Sequence, residues 1–330
     1  MVESRDCPLE SYFASLSLPA NSIFFTLGAA LVIWGAGKFE AGAVFIAKAA
    51  DVPKVVVGAT IVSLATTFPE FVTSFSAALL AKPLMSVGNA VGSYLCNIGL
   101  IVGMTALLRA YPVPKKIFRF QGLYALAAAL AMTGATFGHA IGRVHGVIFT
   151  LAFFAFLYLS WRQSSSENEF DESAHEVIAK NWVRPISWFI VGAVCVGVGC
   201  ILLVQNGAQI ARHAGVSELI IGLTIIAIGT SLPEITLAVA TSIRGHVDLS
   251  LGNILGANVL NIFWVVGASA LVHPLPVALQ TRALDVPFSV LLIGLLLTFG
   301  MRGGRISRVE GGTILATYLL YLVLMGMIFL

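Results

Sequence analysis

Glu70 and Glu234 stand 164 positions apart, each directly after a proline and each inside a run of apolar residues. An acid in such a run must be neutralised by a proton, a base or a cation, because one charge at a bilayer centre costs about 2.5–3.5 kcal/mol. Around both glutamates the chain repeats itself. Gly58-Ala-Thr-Ile-Val-Ser-Leu-Ala-Thr-Thr-Phe-Pro-Glu70 returns as Gly222-Leu-Thr-Ile-Ile-Ala-Ile-Gly-Thr-Ser-Leu-Pro-Glu234, and Gly88-Asn-Ala-Val-Gly-Ser-Tyr-Leu-Cys-Asn97 returns as Gly252-Asn-Ile-Leu-Gly-Ala-Asn-Val-Leu-Asn261. The interval from Pro-Glu to Gly-Asn is also kept. A duplicated set of oxygen-bearing residues in a hydrophobic chain reads as a cation site built from two halves.

The residue types fit that chemistry. Proline lacks the N–H that binds the carbonyl four residues back, so Pro69 frees Ala65 and Pro233 frees Gly229. Hydroxyl and carboxylate oxygens come from the same turn, Thr66, Thr67 and Glu70 in one half and Thr230, Ser231 and Glu234 in the other. The following segment adds Asn89, Ser93 and Asn97, or Asn253, Asn258 and Asn261, at spacings that keep several on one helix face. Calcium takes about six to eight oxygen ligands, and two bidentate carboxylates with carbonyls and hydroxyls supply that number. Neither Pro-Glu motif contains His or Cys, which disfavours zinc, copper and iron. Gly88 and Gly92, like Gly252 and Gly256, form Gly-x-x-x-Gly pairs that let helices approach closely. The blander alternatives are a structural carboxylate paired with a base, for which neither segment holds a Lys or Arg, and a simple proline kink.

Such residues need helices that span a membrane. Hydrophobic residues make up 58% of the 330 positions and charged residues 11%, with a mean hydropathy of +0.93, far from a soluble domain. The expected fold is all-α and polytopic, with about ten transmembrane helices at 22–45, 55–80, 86–108, 120–138, 142–161, 186–204, 219–243, 249–272, 286–300 and 313–330. These leave no room for a separate soluble domain. Residues 1–161 would form a first repeat (motif 58–103), 162–185 a cytoplasmic linker, and 186–330 a second repeat (motif 222–267). An odd number of spans per repeat makes the two halves inverted, a geometry in which one midplane site opens alternately to either side. Gly28-Ala29 against Gly192-Ala193, again offset by 164, extends the duplication to the span before each motif.

Basic residues set the orientation. With the N-terminus outside, the cytoplasmic loops collect the runs Arg109, Lys115, Lys116, Arg119 and Arg302, Arg305, Arg308, together with Lys48, Lys54, Arg162, Lys180, Arg184 and Arg244. The outer side collects only Arg5, Lys82, Arg143, Arg212 and Arg282, so both termini are expected away from the cytoplasm. The acidic start, Met1 to Glu10, lacks the basic region and cleavage site of a signal peptide, so the first span is expected to be retained. Cys7, Cys96, Cys195 and Cys200 form no Cys-x-x-Cys pair and read as packing residues.

At the two motifs the chain resembles the Na+/Ca2+ exchanger family of the Ca2+:cation antiporter superfamily, in its bacterial inner-membrane branch. The family carries Gly-Thr-Ser-x-Pro-Glu followed by Gly-Asn-x-x-Gly-Ser-Asn-x-x-Asn/Asp. The resemblance implies that Glu70 and Glu234 bind a central calcium and share the sodium sites, and that Thr66 and Thr230 give backbone carbonyls to calcium. It assigns sodium-binding hydroxyls to Thr67 and Ser231, an outer sodium site to Ser93, the middle to Asn97 and Asn261, and backbone oxygens to Ser63 and Ala227. The chain departs from the pattern at Ala257, where the family has Ser, and at Tyr94, where it has Asn; Asn261 stands where some relatives have Asp. The Gly-Asn-x-x-Glu pattern of proton-coupled relatives does not occur, which favours sodium.

The function implied is secondary antiport of Ca2+ against Na+, with no enzyme activity, no cofactor beyond the transported ions, no nucleic acid and the bilayer as surroundings. No Gly-x-x-x-x-Gly-Lys-Ser/Thr segment for ATP occurs. Alternatives in view are exchange driven by H+ or assisted by K+, a passive cation channel, and an intramembrane enzyme with an acid–base carboxylate pair. Lys38 and Glu40 read as interfacial, and Gln205, Asn206 and Gln209 either hydrate an access path or bond between helices. The acids Glu167, Glu169, Asp171, Glu172 and Glu176 lack the spacing of a calcium loop and read as a solvated linker, and the six histidines are scattered.

Overall fold

A computed structural model describes residues 12–49, 62–113, 115–164, 182–244 and 247–329. Gly58 to Ile61 at the head of the first motif, Arg5, Cys7, Lys54, Lys180 and the acids from Glu167 to Glu176 lie outside the described residues. Helix α1 is Leu18–Ala49, followed by α2 Val62–Thr66, α3 Phe68–Leu79, α4 Pro83–Cys96 and α5 Gly103–Leu108. Strand β1 Tyr111–Pro112 leads to α6 Lys115–Ala135, and β2 Ala140–Ile141 to α7 Arg143–Ser164. The second half runs α8 Val183–Ala214, α9 Glu218–Ile221, α10 Ala227–Thr230, α11 Leu232–Arg244, α12 Val247–Leu260, α13 Gly267–Val272, β3 Leu275–Pro276, α14 Val286–Gly303, β4 Arg305–Ile306 and α15 Arg308–Phe329.

Seven helical stretches among the described residues are long and apolar enough to cross a bilayer, and an eighth is bent by 46° between Glu218–Thr230 and Leu232–Val239. Of the ten expected spans, 55–80 begins outside the described residues. The span 120–138 appears as α6, whose alanines, Arg119 and Gln121 keep it short of the apolarity of the others. Several spans start earlier than expected, at Leu18, Pro83 and Arg308 for 22, 86 and 313, and two further shifts bring polar residues inside. The sixth span runs on from 204 to Ala214, because Gln205, Asn206 and Gln209 are no helix breakers, and it ends where Gly215 takes φ +68°. The ninth begins at Thr281 and not at 286, through a π-helical turn, Thr281–Asp285, that carries an acid into the helix.

Two spans form the centre. In Pro83–Leu108 and Leu251–Val272 the apolar stretch is 78% and 83% buried, against 28%, 28% and 22% in Arg143–Arg162, Val183–Ala214 and Arg308–Phe329. The outer helices turn Leu151, Phe154, Val194, Val198, Leu319 and Val323 outward. Patches of that kind are a liability in water and are solvated by acyl chains in a bilayer.

Contacts repeat with the period of the sequence. The π-helical turns Asn97–Val102 and Asn261–Val266 continue α4 and α12 at the same offset of 164. Strand β1 pairs with β4 and β2 with β3, both antiparallel, so each half's first strand meets the other half's second. The two 32-residue helices α1 and α8 lie antiparallel on a glycine seam: a Cβ on Gly28 would stand 2.8 Å from the Gly199 carbonyl oxygen, and one on Gly35 2.9 Å from that of Gly192. Gly28 and Gly192 are sequence equivalents, as are Gly35 and Gly199, so the seam maps onto itself when the halves are exchanged. Equivalent helices that cross antiparallel are what inverted repeats require.

Candidate functional site

Each Pro-Glu motif interrupts its helix one residue before the new helix starts. Thr67 separates α2 from α3, and Ser231 separates α10 from α11. The two breaks are built alike: Thr67 N donates to Ser63 O at 2.9 Å and Phe71 N to Thr67 O at 3.0 Å, while Ser231 N donates to Ala227 O and Ile235 N to Ser231 O, both at 3.0 Å. The prolines then occupy first-turn positions, where a missing N–H costs nothing. The carbonyls of Ser63 and Ala227, read as sodium ligands from the resemblance, lie 3.4 and 3.2 Å from the Thr66 and Thr230 hydroxyls as alternative acceptors.

These breaks bring both glutamates inside. Glu70 is 0% and Glu234 1% exposed. Glu70 Oε1 accepts a hydrogen bond from the Ser231 hydroxyl at 2.9 Å, so a carboxylate of the first motif is held by a side chain of the second. The Thr230 and Ser93 hydroxyls flank the same carboxylate, and Cys96 lies within electrostatic reach of both glutamates. Glu70 Oε2 is buried and has no hydrogen-bond partner, and the hydroxyls of Thr67 and Ser93 share that condition.

The asparagines tie the halves together. Thr230 Oγ1 donates to Asn89 Oδ1 at 3.1 Å, and the equivalent Thr66 Oγ1 donates to Asn253 Oδ1 at 3.4 Å. Asn89 Nδ2 also reaches the Glu70 carbonyl at 3.2 Å and Ser74 Oγ at 2.9 Å, which fixes α4 against α3. Close approach makes this possible: a Cβ on Gly88 would lie 2.5 Å from Leu219 O, and one on Gly92 2.6 Å from Leu223 O. Asn89 and Asn253 thus join the two halves, a role their spacing alone did not distinguish from ion contact.

The departures from symmetry lie at Tyr94 and Ala257. Asn258, the equivalent of Tyr94, accepts from Asn97 Nδ2 at 3.0 Å and donates to the Tyr94 carbonyl at 3.4 Å. Tyr94 turns its hydroxyl away to Ala125 O in α6, at 2.8 Å. Asn261 therefore has no amide opposite it, and both its side-chain polar atoms are buried without a partner, whereas Asn97 leaves only Oδ1 so. Ala257 is fully buried and faces its surroundings without the hydroxyl that Ser93 has.

Other expected residues fall elsewhere. Lys38 sits over the rings of Trp188 at 4.5 Å and Trp34 at 5.7 Å, an arrangement of the membrane interface. Gln205, Asn206 and Gln209 are buried in α8, and Asn206 Nδ2 bonds Leu202 O of its own helix at 2.8 Å. Lys82, expected in an outer loop, is buried and pairs with Glu218 at 3.8 Å, linking the starts of α4 and α9. One buried acid had no sequence signal: Asp285, 0% exposed, follows Arg282 in a stretch that reads as loop. Among the described residues Cys96, Cys195 and Cys200 are free thiols.

Comparisons with known proteins converge on one family. The profile described as sodium/calcium exchanger protein matches twice, over residues 21–162 and 185–327, so one unit describes both halves. The chain is 32% identical over 258 residues to the inner membrane protein YrbG of Escherichia coli, covering 75% of this chain and 78% of that one. It is 27% identical over 346 residues to the sodium/calcium exchanger MaX1 of Methanosarcina acetivorans, covering 93% and 99%. A solved structure of the sodium-calcium exchanger NCX_Mj, soaked with 2.5 mM Na+ and 10 mM Sr2+, superposes with a TM-score of 0.68 at 29% identity, over 93% of this chain and 99% of that one. Two matched halves, two buried glutamates and a near full-length structural match lead to one conclusion: this integral membrane protein belongs to the sodium/calcium exchanger family.

Proposed function

We propose that the protein is a secondary antiporter that exchanges Ca2+ for Na+ by alternating access, with Glu70 and Glu234 as the charged ligands of one central site. The observation that carries this reading is the bond from Ser231 to Glu70, because it puts the two motifs, 164 residues apart in sequence, on the same carboxylate. Burial gives the mechanism. Two ionised glutamates in a water-poor interior repel each other and resist closure, whereas one divalent ion, or two or more monovalent ions, neutralises them. The site can then change sides loaded and not empty, which is exchange and not leakage. Thr66, Thr230, Ser63 and Ala227 would contribute backbone oxygens, Thr67, Ser231 and Ser93 hydroxyls, and Asn97 and Asn261 amide oxygens. Thr66, Thr67, Thr230 and Ser231 flank the two helix breaks, while Ser93, Asn97 and Asn261 come from the helices that follow, an arrangement that supports the comparison with transporters built on broken helices. The basic-residue distribution supports an orientation with both termini away from the cytoplasm, and the likeness to an Escherichia coli inner membrane protein supports placement in a bacterial inner membrane.

The test is calcium uptake into liposomes holding the purified chain, with sodium, potassium and proton gradients imposed separately. Wild type should take up calcium only when sodium runs the other way. Glu70→Gln and Glu234→Gln should each lose the sodium-driven flux by at least about 100-fold, since a group that acts only in the charged state is removed. Unchanged rates in both variants would refute the assignment, and uptake without any counter-ion would favour a channel.

A further inference from the structure

We propose that Asp285, Thr281 and Tyr321 form a second site for a monovalent alkali cation, separate from the central glutamates. This inference stands whether or not the central pair carries calcium.

Asp285 closes the π-helical turn Thr281–Asp285 and leads into α14. Its Oδ1 accepts from the Tyr321 hydroxyl at 3.0 Å and from Gln280 Nε2 at 3.4 Å. Two donors on one oxygen suit an ionised carboxylate. Its Oδ2 is buried and makes no hydrogen bond of good geometry, and neither does the Thr281 hydroxyl one turn back on the same face, which lies close enough to the carboxylate to interact with it. No Lys, Arg or His among the described residues forms an ion pair with Asp285. Arg282, the base of the same turn, donates instead to Gly138 O at 2.8 Å. Two neutral donors reduce but do not cancel a buried charge, and a cation on Oδ2 and Thr281 Oγ1 would complete both.

The donor set selects the ion class. One carboxylate oxygen with one hydroxyl oxygen offers a single negative charge to a hard cation, matching Na+ or K+, whereas calcium gathers about six to eight oxygens, commonly from more than one acid. The sequence equivalent in the first half is Gln121, neutral, so the site belongs to the second half alone. A route to the centre exists as well. Tyr318, one turn from Tyr321 on α15, packs its ring against Gly99, two residues past Asn97, with a Cβ on Gly99 meeting Tyr318 Cγ at 2.6 Å.

The experiment is thermal melting of the purified full chain in detergent, in a Glu70→Gln/Glu234→Gln background that silences the central pair. NaCl, KCl and LiCl are compared with N-methylglucamine chloride at constant ionic strength and at three pH values. We expect a saturable rise of about 4 °C or more with one alkali cation, lost on adding Asp285→Asn and reduced by Thr281→Val. No cation-specific rise, a rise that survives Asp285→Asn, or a midpoint that follows pH alone each overturns the proposal. The last would mean that a proton is the occupant. Should the double variant not fold, sodium and potassium bound per chain are each counted calorimetrically in wild type and Asp285→Asn. A lower count of either ion supports the site and equal counts of both overturn it. Failure of the central exchange reading would appear in the liposome fluxes and leave these melting curves unchanged.

Discussion

Ser231 and Thr67 occupy equivalent breaks yet act differently: Ser231 donates to Glu70, while the Thr67 hydroxyl has no partner. The same inequality appears at Ser93 against Ala257 and at Asn97 against Asn261. A duplicated sequence therefore builds a site whose equivalent positions are not filled alike, with a serine hydroxyl at position 93 and none at 257. Ala257→Ser should restore one oxygen on the poorer side. A neutral ligand is worth about 1 kcal/mol, so the sodium concentration for half-maximal exchange should fall by about fivefold, with folding stability little changed. A sodium titration of calcium efflux checks this, and an unaltered titration would mean that position 257 does not face sodium. Glu70, Glu234 and the flanking hydroxyls were legible in the sequence because a charge after proline in an apolar run is rare and here occurs twice. Tyr94 was legible as a departure, but its consequence was not, since only the fold shows the phenol bonded to Ala125 and Asn261 left without an amide opposite. Asp285 was illegible, because Arg282 beside it lowers the hydropathy that marks a span.

Helix breaks and close crossings decide whether these side chains meet. The prolines announced the breaks, and glycines at spacings of four announced the crossings, so both were readable from residue type. The π-helical turns at Asn97–Val102 and Asn261–Val266 were not, because one extra residue per turn leaves no mark on composition or periodicity. Their placement directly at Asn97 and Asn261 re-aims the residues that follow the Gly-Asn segments. Gly88 tests the crossing. A methyl there would meet Leu219 O at 2.5 Å, a backbone atom that cannot swing aside, so Gly88→Ala should push α4 off α9 and part Asn89 from Thr230. Overpacking of this kind costs about 1–3 kcal/mol, read as a lower melting temperature together with loss of sodium-driven flux. Gly134, whose added Cβ meets nothing within 4 Å, provides the control. Gly134→Ala should leave both readouts unharmed, and equal damage from the two variants would deny the crossing its special role.

At the scale of the whole chain, neither half is complete. The Glu70 carboxylate takes its hydrogen bond from the second half, β1 and β2 find their partners in β4 and β3, and α1 lays its glycines on α8. Gly99 and Gly103 of the first half pack on Tyr318 and Leu315 of the second, while Gly267 of the second packs on Phe149 and Thr150 of the first. These exchanged contacts hold the halves together without help from the peptide link between Ser164 and Trp182. A chain opened between those residues and coexpressed as two fragments should therefore copurify and drive calcium exchange at a rate of the same order as the intact protein. Either fragment alone should fail, since its glycine face would lack its counterpart and one glutamate would remain without the other motif. In the bilayer no hydrophobic force joins helices that acyl chains already solvate, so reassembly must come from this close packing and from the hydrogen bonds across the centre. Thr230→Ala combined with Gly28→Leu, which removes one of those bonds and wedges the seam, should abolish copurification of the fragments while the covalent chain still inserts. A single half that transports by itself would show instead that two copies of one repeat can build the site, and the differences at positions 93 and 257 and at 94 and 258 would then carry no function.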